Sequence, residues 1–152
     1  MKPLLILFLL GACVLSPQQK LFNRMCGTWR MMGVEVRKIG DGLIPGDIIF
    51  AAKDSLELAN TQGLSKGLGI YKADSTYTEE YYALDGKLVH EAAGRWYISN
   101  DSIVLKQERP PGPLIKLKLV DNDSLLSMSG LRDMDGDKAA DDEFKLVVKK
   151  IK

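Results

Sequence analysis

Apolar and polar residues alternate along most of this chain instead of recurring every third or fourth position. Thr76 to Tyr82 sets β-forming residues beside charges that the pattern turns outward. Leu114 to Leu119 interleaves Lys116 and Lys118 with leucine and isoleucine, and Phe144 to Lys149 repeats the scheme near the end. Period-two alternation is what an antiparallel strand needs when one face meets a core and the other meets water. Leu21 to Met25 is long enough for one helical turn; beyond it no stretch keeps helical spacing for more than a turn or two.

The reversals are of two kinds. Asp-Ser recurs at 54–55, 74–75, 101–102 and 123–124, each time ahead of β-type residues. Both side chains bond to nearby backbone and favour tight turns. Between these pairs lie bulkier links marked by Gly or Pro: Ile39 to Gly46, Asn60 to Lys66, Asp85-Gly86, Arg109 to Pro113, and Gly130 to Asp142. Alternate turns of a meander fall at opposite ends, so the Asp-Ser turns should share one end with Gly27 and Trp29. The pattern predicts an all-β, antiparallel up-and-down meander closed into a barrel of about 8–10 strands, the turn count pointing to the upper figure. Closure removes exposed strand edges. A two-sheet sandwich has the same periodicity and differs only in closure.

The run Cys26-Gly27-Thr28-Trp29 opens the first long strand pattern. The glycine permits a sharp turn, and the indole two residues later can plug one end of a rolled sheet. This Gly-x-Trp opening resembles the lipocalins and the wider calycin group of ligand-holding β-barrels, especially the small bacterial lipocalin-like domains. The resemblance implies a late arginine packed on the tryptophan; this chain lacks it, and Lys149 and Lys150 are the nearest basic candidates.

The first residues read as an address. Lys2 is followed by the apolar run Leu4 to Leu10 and then Gly11-Ala12-Cys13, a secretory signal too short to span a bilayer. Leu10-Gly11-Ala12-Cys13 resembles the bacterial lipobox, which implies lipid attachment at Cys13, stable membrane anchoring through several acyl chains, and residence in the cell envelope at the outer membrane or periplasmic face. Ordinary cleavage near Ala12 and secretion is the alternative. The division expected is a leader and tether over 1–19 and one β-barrel domain over 20–152. With lipidation, Cys26 is a buried structural thiol; without it, a Cys13–Cys26 disulfide is open.

With 21 Lys and Arg against 20 Asp and Glu, the net charge of +1 and the lack of a basic block exclude a nucleic-acid binder's footprint. One His and two Cys exclude a disulfide-rich scaffold and a Cys/His zinc cluster. No nucleophile elbow, phosphate loop or dinucleotide fingerprint is present, so an enzyme is not expected.

Two constellations carry possible chemistry. From Leu88, the residues His90, Ala92, Gly94 and Trp96 share one face of a strand. Small residues beside a tryptophan suit an apolar pocket with a few polar groups, to which Tyr81 adds a hydroxyl; they equally suit a bend in a filled barrel. In the acidic loop, Asp133, Asp135, Asp137 and Asp141 resemble bacterial calcium loops, in which carboxylates offset the charge of Ca²⁺ and a glycine permits the wrap. Lys138 stands where such loops usually carry glycine, and a solvated hairpin loop is the alternative. The functional expectation is a non-catalytic, membrane-tethered protein holding a small hydrophobic or amphipathic molecule in its barrel. The competing expectation is a filled barrel that presents its loops to an envelope protein.

Overall fold

The computed structural model describes residues 15–37, 48–52, 54–122, 125–132 and 141–152. Helix α1 (Pro17–Met25) leads into β1 (Gly27–Arg37) and β2 (Ile48–Ala52), then helix α2 (Ser55–Gln62). The chain continues through β3 (Leu64–Tyr71), β4 (Thr76–Ala83), β5 (Leu88–Ser99), β6 (Ser102–Arg109), β7 (Pro111–Asn122), β8 (Leu125–Arg132) and β9 (Asp142–Lys150). Every pairing is antiparallel. Strands β3 to β9 pair in sequence order, and β9 returns to β1 from Trp29↔Lys150 to Arg37↔Glu143. Eight strands thus close an antiparallel up-and-down barrel, and closure excludes the sandwich.

The ninth strand explains how the ring is completed. β1 gives one edge to β9 along most of its length. Its other edge pairs first with β3, over Gly27–Arg30, and then with β2, over Val34–Arg37. β2 and β3 do not pair with each other; α2 joins them and packs on both, and on β1.

That helix corrects the turn count of ten strands. Asp54-Ser55 is not a reversal but a helix start: Asp54 Oδ1 accepts from the amides of Leu56 and Glu57 at 2.8 and 2.9 Å, and Gly63 ends the helix in the left-handed region at φ 64°. The chemistry that favours a turn is the same chemistry that satisfies a helix's first amides. Two of the other pairs do sit in links at the end shared with Gly27. Asp74 Oδ1 accepts from Thr76 N at 3.0 Å, and Leu119 N donates to Asp101 O at 2.8 Å. Asp123-Ser124 lies outside the described residues, as do Cys13 and the loop positions Asp133, Asp135 and Asp137. The expected helical turn at Leu21–Met25 is longer than foreseen: Ser16 caps it by accepting from Gln19 N at 3.1 Å, and Pro17 fills the first turn, where its missing N–H costs nothing. The helix therefore takes in residues ahead of the expected boundary at 20.

Side chains facing inward make two adjoining clusters. The larger contains Trp29, Tyr71, Tyr77, Trp96, Leu105, Leu117, Leu126 and Phe144. The smaller consists of Met31, Ala52 and Leu58, flanked by Val34, Leu64, Tyr81 and Leu146.

Candidate functional site in the barrel interior

The end marked by Gly27 is sealed by aromatic packing. Trp29 Nε1 donates to Met25 O at 2.8 Å, and Trp96 Nε1 to Lys72 O at 3.0 Å, so both buried indoles keep a partner for their one polar group. The Phe22 ring of α1 stacks on Trp96 with centroids 4.5 Å apart and planes 9° apart, while Tyr71 meets Trp96 edge-on at 5.6 Å. Lys150 Nζ lies 5.5 Å from the Trp29 ring centroid and donates to Arg24 O at 2.8 Å, tying the last strand to α1. Of the two lysines considered for this place, the structure puts Lys150 there. Gly27, at φ 134°, lies so close to the chain end that a Cβ would stand 2.2 Å from Lys152 O, which no other residue could accept. Cys26 beside it is a half-buried free thiol, its pKa raised by burial.

The face expected to line a pocket divides along its length. Ala92, Gly94 and Trp96 are buried, and Trp96 belongs to the floor stack. A Cβ on Gly94 would meet Lys106 O at 2.0 Å, so glycine stands there because β6 crosses closely, at the bulge between Ala93 and Gly94, and its smallness opens no space. His90 is exposed at the opposite end, its ring 5.6 Å from that of Tyr81. Tyr81, half-buried, does reach the interior.

Among the described residues, the space found inside the ring is small and lies elsewhere. A void of about 20 Å³ sits between β1, β3, β4, β8 and β9, and its lining includes Trp29, Met31, Tyr71, Glu79, Tyr81 and Met128. One water-sized group fills such a space. Glu79 corrects the expectation that the charges of Thr76–Tyr82 turn outward. Glu79 and Glu80 are neighbours on a strand, so only one can face water fully. Pairing of Glu79 with Gly69 on one side and Ala92 on the other puts it inside, whereas Glu80 accepts a hydrogen bond from Tyr82 Oη at 2.6 Å on the outer face.

Arg132 on β8 and Asp142, which faces it on β9 and is fully buried, are further interior charges, also unforeseen. The Arg132 guanidinium lies 4.6 Å from the centroid of the Phe144 ring, and its buried Nε has no hydrogen-bond partner. The phenols record this environment. Burial first, and then the Glu79 carboxylate, push Tyr77 and Tyr81 up to about 12 and Tyr71 well above its ordinary range; Arg132 acts in the opposite direction on all three.

The void shares part of its lining with the smaller cluster, on the side where β2 and β3 part. Leu58 of α2, 2% exposed, enters the cluster of Met31 and Ala52 and is flanked there by Tyr81 and Leu146, residues that also line the void. On α2 the only other large apolar side chain, Leu56, is 68% exposed. A larger hollow of about 390 Å³ lies on the outer face of β1, β8 and β9, lined by Glu35, Arg37, Ser129, Leu131, Glu143 and Lys145. These side chains point away from the core by their register, so the hollow encloses nothing. Among the described residues no group of three or more His, Cys, Asp or Glu could hold a metal ion.

No protein-family model matches this chain, and no curated protein matches it. Among solved structures it is similar to a lipocalin-like protein from Bacteroides uniformis, with TM-score 0.48 and 15% identity over 83% of this chain and 97% of that one. It is also similar to the siderocalin Ex-FABP, described as functioning through dual ligand specificities, with TM-score 0.43 and 14% identity over 83% of this chain and 73% of that one.

Proposed function

We propose that this protein is a non-catalytic barrel that takes a small amphipathic molecule into the half of its interior beneath α2, and that lipid on Cys13 tethers it to the cell envelope. One observation carries the reading: the wall between β2 and β3 is completed by a short helix whose only deeply buried large side chain is Leu58, set beside a void with a carboxylate on its wall. A strand in that position would make closure permanent. A helix resting on one leucine gives the interior a removable stopper, and withdrawal of Leu58 joins its volume to the void. On the wall of the void, Glu79 and the Tyr71 and Tyr81 phenols supply orientation within an otherwise largely apolar site.

A second reading is favoured by the volume of about 20 Å³, which leaves the barrel nearly filled, and by Leu84, Leu88 and Val89, exposed near the β4–β5 turn. In that reading the barrel displays this hairpin to a protein partner. Native mass spectrometry of protein taken from its own membranes separates the two. A copurifying small molecule, lost on mild denaturation, supports the binder; a stoichiometric crosslinked protein with no small molecule supports the display. Cys13→Ser should move the protein from the membrane to the soluble fraction, and its retention would defeat the tether. Calcium at Asp133, Asp135, Asp137 and Asp141 rests on their spacing. Isothermal titration with Ca²⁺ tests it, with Asp135→Asn expected to weaken binding at least about tenfold if a carboxylate ligand is lost.

A further inference from the structure

We propose that the void adjoining the Leu58 cluster is a head-group pocket for an organic cation, the protonated amine of a small amphiphile, with Glu79 as its counter-ion and Trp29, Tyr71 and Tyr81 as its aromatic walls. The inference rests on the ligand-binding reading above and names the class of molecule that reading leaves open.

Size comes first. About 20 Å³ admits one water-sized group, the size of an ammonium. The walls suit the same charge. Aromatic faces carry negative quadrupole density and attract cations, and Trp29, Tyr71 and Tyr81 all line the space together with the soft sulfur-bearing side chains of Met31 and Met128. Two glycines on β3 make this wall possible. A Cβ on Gly67 would stand 2.7 Å from Met31 Cε and 3.1 Å from the Tyr81 ring, and one on Gly69 would stand 2.9 Å from the Tyr71 ring. Larger residues there would drive these side chains out of their present positions.

The charge balance decides the sign of the guest. Three charged side chains among the described residues face this interior: Glu79, Arg132 and Asp142, the last fully buried and paired across the strands with Arg132. Glu79 lines the void; Arg132 does not, and its guanidinium is laid on Phe144. At each of the three phenols the carboxylate outweighs the guanidinium. An anionic head entering the void would meet Glu79 directly, whereas an ammonium would gain a charge-assisted hydrogen bond in place of a solvating water. The hydrocarbon tail would occupy the place of Leu58, among Met31, Ala52 and Leu146.

The test uses three probes with one tail: octylamine, octanol and octanoate, measured by isothermal titration at pH 7 against the wild-type protein and Leu58→Ala. The expected order is octylamine tightest, octanol about tenfold weaker, and octanoate weakest. Glu79→Gln should bring octylamine to within about twofold of octanol, while Glu79→Asp should retain the preference. Should Glu79→Gln fail to fold, the order of the three probes on wild-type protein decides alone. Octanol or octanoate binding as well as octylamine would overturn the cation pocket and leave the binding reading standing. No binding of any probe to either protein would overturn the binding reading, and the pocket with it.

Discussion

The most exposed element of this reading is the hold of α2 on the barrel, and it can be weakened by two independent substitutions. A helix of eight residues has no stability of its own in water, so its docked state depends on Leu58 and on the Asp54 cap. Burying Leu58 contributes about 2–3 kcal/mol, and removing an Asp cap costs about 1 kcal/mol. Leu58→Ala and Asp54→Ala therefore act on the same local equilibrium, one through packing and the other through the amides of Leu56 and Glu57. If α2 opens as a unit, amide exchange at Ala59, Thr61 and Gln62 should accelerate about 30–150-fold in Leu58→Ala and about 5-fold in Asp54→Ala. Exchange in β5 and β6, on the far side of the ring, should stay unchanged. Hydrogen exchange read by NMR gives each site separately. A uniform rise across β5, β6 and α2, with a matching drop in urea midpoint, would mean that Leu58 belongs to the global core and that the helix is no stopper.

Gly94→Ala should destabilise the fold by about 2 kcal/mol, since the added methyl meets a backbone oxygen that cannot retreat; a neutral result in urea unfolding would show that β6 is free to shift. Phe22→Ala removes the ring stacked on Trp96 and should cost about 2–3 kcal/mol, with a change in tryptophan emission as water reaches the indole; unchanged emission would detach α1 from the floor. Tyr77 and Tyr81 titrate near 12 in the folded protein and near 10 once unfolded. The unfolded chain therefore loses these protons first, and stability present below pH 10 falls as pH rises through 12. Denaturant unfolding followed between pH 9 and 12 checks the slope, which Tyr81→Phe should flatten.

Much of the barrel was legible because period-two alternation and the Gly27–Trp29 opening report directly on burial. Both depend on a residue's own chemistry and its near neighbours. Where the same local chemistry serves two structures, legibility failed, as at Asp54-Ser55, although a sharper signal was present. Glu57 stands three residues after Asp54 and Gly63 follows the segment, the marks of a helix start and stop. Tertiary context then decides, because only a helix can present Leu58 to the gap that β2 leaves beside β3.

The interior charges were hidden for a different reason. Alternation assigns faces by majority, and in Thr76–Tyr82 the polar majority masked a contradiction, since adjacent glutamates on a strand cannot both point outward. Read strictly, Glu79-Glu80 already required one carboxylate inside; which one follows only from the register with β3 and β5. His90, chosen because alternation puts it on one face with Ala92, Gly94 and Trp96, is exposed at the mouth, whereas the strand beside it turns its carboxylate into the barrel. Glu79, half-buried, sets a carboxylate on a wall shared with Trp29, Tyr71 and Tyr81, where packing alone calls for an apolar side chain. That placement argues that the interior is shaped for something other than the packing of its own side chains.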